Sequence, residues 1–169
     1  MRCHLINNSI PDVISIIKTL IMKKLSLLTL ILTFATSSIF PQGAEKIIIQ
    51  SPDAPKAIGP YSQAILAGNT LYVSGNIAIN PENGQMDTLN LETEIRRVMS
   101  NLGAVLNEVD MSYENVVKAT IYTTDLNNYK LINTIYGEYF KEKPPARETV
   151  QVVALPKGAH VEISCVAVR

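Results

Sequence analysis

The 169 residues carry 15 Lys+Arg and 15 Asp+Glu, so the chain is neutral overall, and its 47% hydrophobic content can fill one domain's core. From Glu45 onward there are 11 Lys+Arg against 14 Asp+Glu, a net of −3 with the signs interspersed. That excludes the basic stripe a nucleic-acid partner requires. Cys165 is the sole cysteine of this region, Cys3 standing far upstream, so the domain is expected to fold without an internal disulfide.

Met22, Lys23 and Lys24 precede an apolar run from Leu25 to Phe34, which exits through Ala35, Thr36, Ser37 and Ser38. This order of basic start, apolar run and small residues is the layout of a secretory signal peptide, and the run is too short for a stable membrane anchor. Residues 1–21 lie ahead of that layout and read as a misassigned extension, 22–44 as the signal, and 45–169 as a single domain exported to the periplasm or secreted. The alternatives are an uncleaved anchor or a disordered leader for this segment, and a cytoplasmic location for the protein.

Lys46 to Gln50 is a β-rich run, and Pro52, Pro55 and Pro60 make Ser51 to Gly59 an irregular approach. Gln63 to Leu66 and Thr70 to Ser74 flank Ala67, Gly68 and Asn69, predicting a hairpin with a short Gly-Asn loop. Asn80 to Gly84 is rich in turn residues. Leu91, Ile95, Val98, Met99, Leu102, Val105 and Leu106 then recur at three- and four-residue spacing, which predicts an amphipathic helix capped by Asn90. Val116 to Thr124 reads as a strand, Asp125 to Asn128 as a turn, and Tyr129 to Phe140 as a second helix. Arg147 to Val153 and His160 to Val168 read as a closing hairpin, turned at Leu155 to Gly158.

This order predicts an α+β domain with two helices packed on one face of a mixed β-sheet. Alternation assigns Val117, Ala119, Ile121, Val150, Val152, Val161, Ile163, Cys165 and Ala167 to the helix side. Tyr72, Ser74, Lys118, Thr120, Tyr122, Arg147, Thr149, Gln151, Glu162 and Ser164 fall on the other. Val153, Val166 and Val168 share that second face. A mixed face of this kind is either solvated or a subunit interface; the interface is preferred, because a small domain without disulfides gains core by associating.

Arg147 follows Pro144, Pro145 and Ala146, so its guanidinium is delivered from a stiffened backbone, as an anion clamp requires. An exposed ion pair would use the same arginine. With Glu162 on the same face it forms a workable hydrolytic pair, an anion anchor beside a carboxylate that can hold a water. On paired strands the two also make an ordinary cross-strand ion pair.

The context comes from several runs taken together: IGPYSQA at Ile58 to Ala64, YVSGNI at Tyr72 to Ile77, the PENG turn, Asn133, PPAR ending at Arg147, and ALPKGAHVEISCVAV at Ala154 to Val168. Over Lys46 to Arg169 the chain resembles the reactive intermediate deaminase family, also called the RidA or YjgF family. The resemblance implies a chorismate-mutase-like fold, a homotrimer with a cleft at each subunit seam, and hydrolysis of 2-imino acids to 2-oxo acids and ammonia. It implies that Arg147 holds the substrate carboxylate and Glu162 places or activates the attacking water. Tyr61, Ser74 and Asn133 would line the cleft, with no metal or organic cofactor. Thr149, Asn76 and Ser164 depart from a Cys, a Gln and a Glu that relatives carry, which bears on pocket shape and substrate range. Two other readings stand beside it: a trimeric module that captures small carboxylates or client proteins without turnover, and an RNA-cleaving or translation-inhibiting protein, against which the acidic charge and the expected export both argue.

Overall fold

The computed structural model describes residues 15–25 and 45–169. Residues 15–25 form a helix with exposed side chains. Residues 1–14 and 26–44 lie outside the described residues, and with them most of the extension and signal-peptide readings. Among the described residues no helix is long and apolar enough to cross a membrane.

Strands β1 (Lys46–Ile49), β2 (Ala64–Ala67) and β3 (Thr70–Asn76) form an antiparallel meander. Ala67 pairs with Thr70 across Gly68 and Asn69, and Gly68 takes the left-handed φ of 59° that this tight turn needs. Helix α1 (Leu91–Asn107) starts where Asn90 accepts the Thr93 N–H at 2.9 Å. It seals Ile95, Val98, Met99, Leu102, Val105 and Leu106 into the core. Each such side chain is worth roughly 2 kcal/mol of burial, so Leu102→Ala should cost about 3 kcal/mol.

Strand β4 (Val116–Thr123) leads through helix α2 (Tyr129–Gly137) to β5 (Ala146–Gln151), which lies parallel to β4. Strand β6 (Val161–Val168) then runs antiparallel to both β3 and β4 and joins them. The six-stranded order is β1-β2-β3-β6-β4-β5, a mixed sheet with both helices against one face, as expected. Cys165 is buried there, its thiol pushed up to about 12 by desolvation.

Four expectations are corrected. The last two strands do not form a hairpin, because β4 lies between β5 and β6. Helix α2 stops at Gly137, and Tyr139 and Phe140 instead join an aromatic cluster with Tyr113, 5.1 and 5.4 Å between ring centroids. A bulge between Val116 and Lys118 exchanges the predicted faces there, burying Val116 and leaving Val117 half exposed. Finally, β5 is turned over. Arg147 pairs with Ala119 and Thr149 with Ile121, residues of the buried, helix-facing set, so Arg147, Thr149 and Gln151 belong to the helix side and Val150 is exposed opposite.

Candidate functional site

Arg147 stands on edge strand β5 beneath α2. Its Nη2 donates to Asn133 Oδ1 at 2.6 Å and to the Tyr129 hydroxyl at 3.4 Å, and its guanidinium carbon sits 4.9 Å from the centre of the Tyr136 ring. Among the described residues, Nε and Nη1 donate to no protein acceptor. The arginine is thus held by one nitrogen and two aromatic rings, Tyr136 and, at 5.9 Å, Tyr129, while the rest of its fork stays open for an anion. Asn133, expected to line the cleft, accepts from the clamp and fixes it. Asn133 and Arg147 also hold the Tyr129 hydroxyl below its ordinary range. Pro144, Pro145, Phe140 and Tyr136 complete a cavity of about 460 Å³ around this group. Two buried hydroxyls nearby in the fold, Tyr136 Oη and Thr149 Oγ1, have no hydrogen-bond partner.

Glu162 lies on the other side of the sheet. It pairs with Tyr122, whose side of β4 faces away from the helices, and it sits in a cavity of about 310 Å³ with Ile58, Tyr61, Ser74, Gly75, Ile77 and Pro156. The cavity exists because β3 bulges: Val73 pairs with Cys165 and Asn76 with Ile163, leaving Ser74 and Gly75 opposite Ser164 alone. Glu162 packs directly over Gly75, and a Cβ there would fall 1.8 Å from Glu162 Oε1. Burial alone holds the Glu162 carboxyl above its ordinary value. Ser74 Oγ donates to the Ser62 carbonyl at 2.7 Å, so toward a ligand it can only accept. Tyr61 Oη accepts the Ile58 N–H at 3.2 Å, which leaves its own proton to donate. Gln63 braces the approach segment, taking the Ser51 N–H at 2.6 Å and donating to the carbonyls of Ser51, Ala54 and Pro55.

The five expected residues therefore gather into two groups. Tyr61, Ser74 and Glu162 share one cavity; Asn133 and Arg147 share another. The pairings place Arg147 and Glu162 on opposite faces, two strands apart laterally and three residues apart along β4, or about 14 Å between Cα atoms at ordinary sheet spacing. They cannot form the cross-strand pair expected from the sequence. Gly75, Glu94 and Asn101 were missed. The last two carried a signal: both are polar residues at core-facing positions of α1, and both are 1% exposed. Asn101 donates to the carbonyls of Ile77 and Ile79 and so pins the chain that leaves the bulge.

Fold and site together define a class: a mixed-sheet α+β protein with an anchored, half-free arginine on one face and a desolvated carboxylate on the other. The family model described as Endoribonuclease L-PSP matches residues 51–169. A human protein named 2-iminobutanoate/2-iminopropanoate deaminase is 42% identical over 122 residues, which cover 72% of this chain and 89% of its own length. The Rid-family structure YyfA of Yersinia pestis is 46% identical with a TM-score of 0.72, covering 74% of this chain and 100% of that one. Escherichia coli TdcF, solved with bound serine, is 35% identical with a TM-score of 0.70, covering 73% and 99%. The chain belongs to the Rid family, also known as YjgF or Endoribonuclease L-PSP.

Proposed function

We propose that this protein hydrolyses 2-imino acids of the 2-iminobutanoate and 2-iminopropanoate type to 2-oxo acids and ammonia, as a homotrimer whose sites lie at subunit seams. The observation that carries this reading is the separation of the two groups. Arg147 and Glu162 sit on opposite faces of one sheet, each in an open cavity, so a substrate can meet both only where a second copy supplies the missing half. The face bearing Glu162 also exposes Ile48, Tyr72, Val117 and Val150, apolar surface that a second copy would cover.

In such a seam the free side of the Arg147 guanidinium takes the substrate carboxylate and fixes the C=N carbon near Glu162. Glu162 receives a proton from the attacking water as the C–O bond forms, giving a carbinolamine. Glu162 passes that proton to nitrogen; the C–N bond then breaks as the hydroxyl returns its own proton to Glu162 and the C=O bond forms, so ammonia leaves and the 2-oxo acid remains. A carboxyl raised by desolvation suits this two-way transfer. The iminium carbon is already electrophilic, so positioning and one acid-base group suffice, and no metal or organic cofactor enters the scheme. The human relative's name, 2-iminobutanoate/2-iminopropanoate deaminase, supports the same substrate class.

The experiment is complementation. Arg147→Ala and Glu162→Gln should each keep only residual activity alone on imines generated in situ. If sites are shared between copies, refolding the two together at equal amounts rebuilds about a quarter of the seams by random assortment. No recovery from the mixture would refute sharing, and 2-oxo acid binding without any imine hydrolysis by the unsubstituted protein would refute the enzyme in favour of a binding module. We also propose export through the segment from Met22, tested by N-terminal sequencing of the native protein; a mature chain that retains Arg2 would refute it.

A further inference from the structure

Glu94 is the one buried charged residue among the described residues, and the scheme above does not use it. It sits in the first turn of α1, where the helix dipole favours a carboxylate. Its Oε1 accepts the backbone N–H of His160 at 2.6 Å and of Val161 at 3.2 Å, and its Oε2 lies 2.9 Å from His160 Nδ1. A carboxylate there can only accept, so Nδ1 carries the proton. The His160 carbonyl meanwhile accepts from Thr124 N–H and from Thr123 Oγ1, both at 3.1 Å. The Thr123 carbonyl in turn takes the Val152 N–H at 2.9 Å. The entry of β6 is thus fastened to α1 on one side and to the end of β4 on the other, two residues before Glu162.

We infer that Glu94 is a positioning residue for Glu162: it anchors the β6 entry so that the Glu162 carboxyl stays seated over Gly75. The tolerance is small, since no room remains between that carboxyl and the Gly75 Cα even for a methyl group. The opposite cavity shares none of these contacts, for Arg147 is fixed by Asn133 and Tyr136. Loosening the anchor should therefore disturb the proton-transfer half of the reaction and spare the carboxylate-binding half.

The kinetic part of the test rests on the imine-hydrolysis reading. Glu94→Ala is expected to lower kcat about tenfold or more while KM and the Kd for a 2-oxo acid hold steady, as expected for a misplacement that leaves binding intact. Glu94→Gln keeps an acceptor for both backbone N–H groups and should restore most of kcat. In a Glu162→Gln background Glu94→Ala should have no further effect, because the two act through one group. Glu94→Asp, which withdraws the carboxylate by one methylene, carries the same test if the alanine variant does not accumulate. An unchanged kcat in both variants, a KM that rises in step, or effects that add to those of Glu162→Gln would overturn the inference. Should the unsubstituted protein hydrolyse no imine, the functional reading fails and carbon-detected NMR titration of Glu162 still decides the positioning role. Its midpoint should fall toward an ordinary carboxylate in Glu94→Ala and stay put in Glu94→Gln, and no movement in either would refute it.

Discussion

Gly75→Ala separates the fold from the chemistry. The added Cβ would stand 1.8 Å from Glu162 Oε1, 2.7 Å from Cδ and 3.1 Å from Cγ, whereas ordinary contact begins near 3.4 Å. The carboxylate oxygen must therefore retreat by about 1.6 Å. What it meets is the far end of a flexible side chain rather than backbone, so the expense to the fold is that of a displaced rotamer, about 1 kcal/mol. A gain of about 0.4–1 kcal/mol from a less flexible unfolded chain offsets part of this, because Gly75 is not among the residues with positive φ. Catalysis has no such relief. A reacting group moved by more than an ångström loses about a hundredfold in rate, near 2.7 kcal/mol of barrier. Oxo-acid release from an imine made in situ gives kcat, thermal melting gives stability, and calorimetry with 2-oxobutanoate gives binding. The expected pattern is a melt near that of the parent, unimpaired oxo-acid binding and kcat down about a hundredfold. A Gly75→Ala protein that turns over at the parent rate would refute the role given to the seated carboxylate.

Arg147→Ala should abolish 2-oxo acid binding in calorimetry, and Arg147→Lys should recover little of it, since an ammonium cannot replace the two-pronged contact. Asn133→Ala frees Nη2 of the clamp and should raise KM about tenfold with kcat held, as for one lost charge-assisted hydrogen bond. Because burial raises the Glu162 carboxyl, kcat/KM should climb with pH about a midpoint above the ordinary carboxylate range, a dependence absent from the residual activity of Glu162→Gln. The same group sets a stability trend. The folded chain keeps this proton over a window where the unfolded chain has lost it, so stability is fullest below the ordinary carboxylate value and declines as pH rises through the raised one; Glu162→Gln should lose that decline in melts across pH 4 to 8. Gln63→Ala removes four hydrogen bonds bracing the segment that carries Tyr61, and a loss of about 2 kcal/mol in denaturant melts is expected.

Local chemistry was the part most readable in the sequence. Asn90, the spacing from Leu91 to Leu106 and the Gly68-Asn69 turn each determine their structure within a few residues, and the helix and hairpin stand where those residues predict them. The second helix ends three residues early because Tyr139 and Phe140 pack against Tyr113, a partner distant in sequence. Strand pairing was the least readable. Nothing local in Val161 to Val168 says that the strand inserts between β3 and β4, and that insertion keeps β5 and β6 apart. The side of β5 was lost for a related reason. An edge strand alternates residues that are all partly exposed, so the polarity of Arg147, Thr149 and Gln151 does not report which face meets the helix. The five residues singled out in the sequence all line cavities of the structure, but their division between two faces is a property of pairing, which is global.

That division bears on dilution. Whatever the chemistry, one chain holds Arg147 and Glu162 on opposite faces of a stiff sheet, so a reaction that requires both has no rate in an isolated subunit. Specific activity should then depend on protein concentration wherever assembly is incomplete, and newly made chains would remain inert until enough copies accumulate. The abundance of the protein would itself act as a threshold on its function.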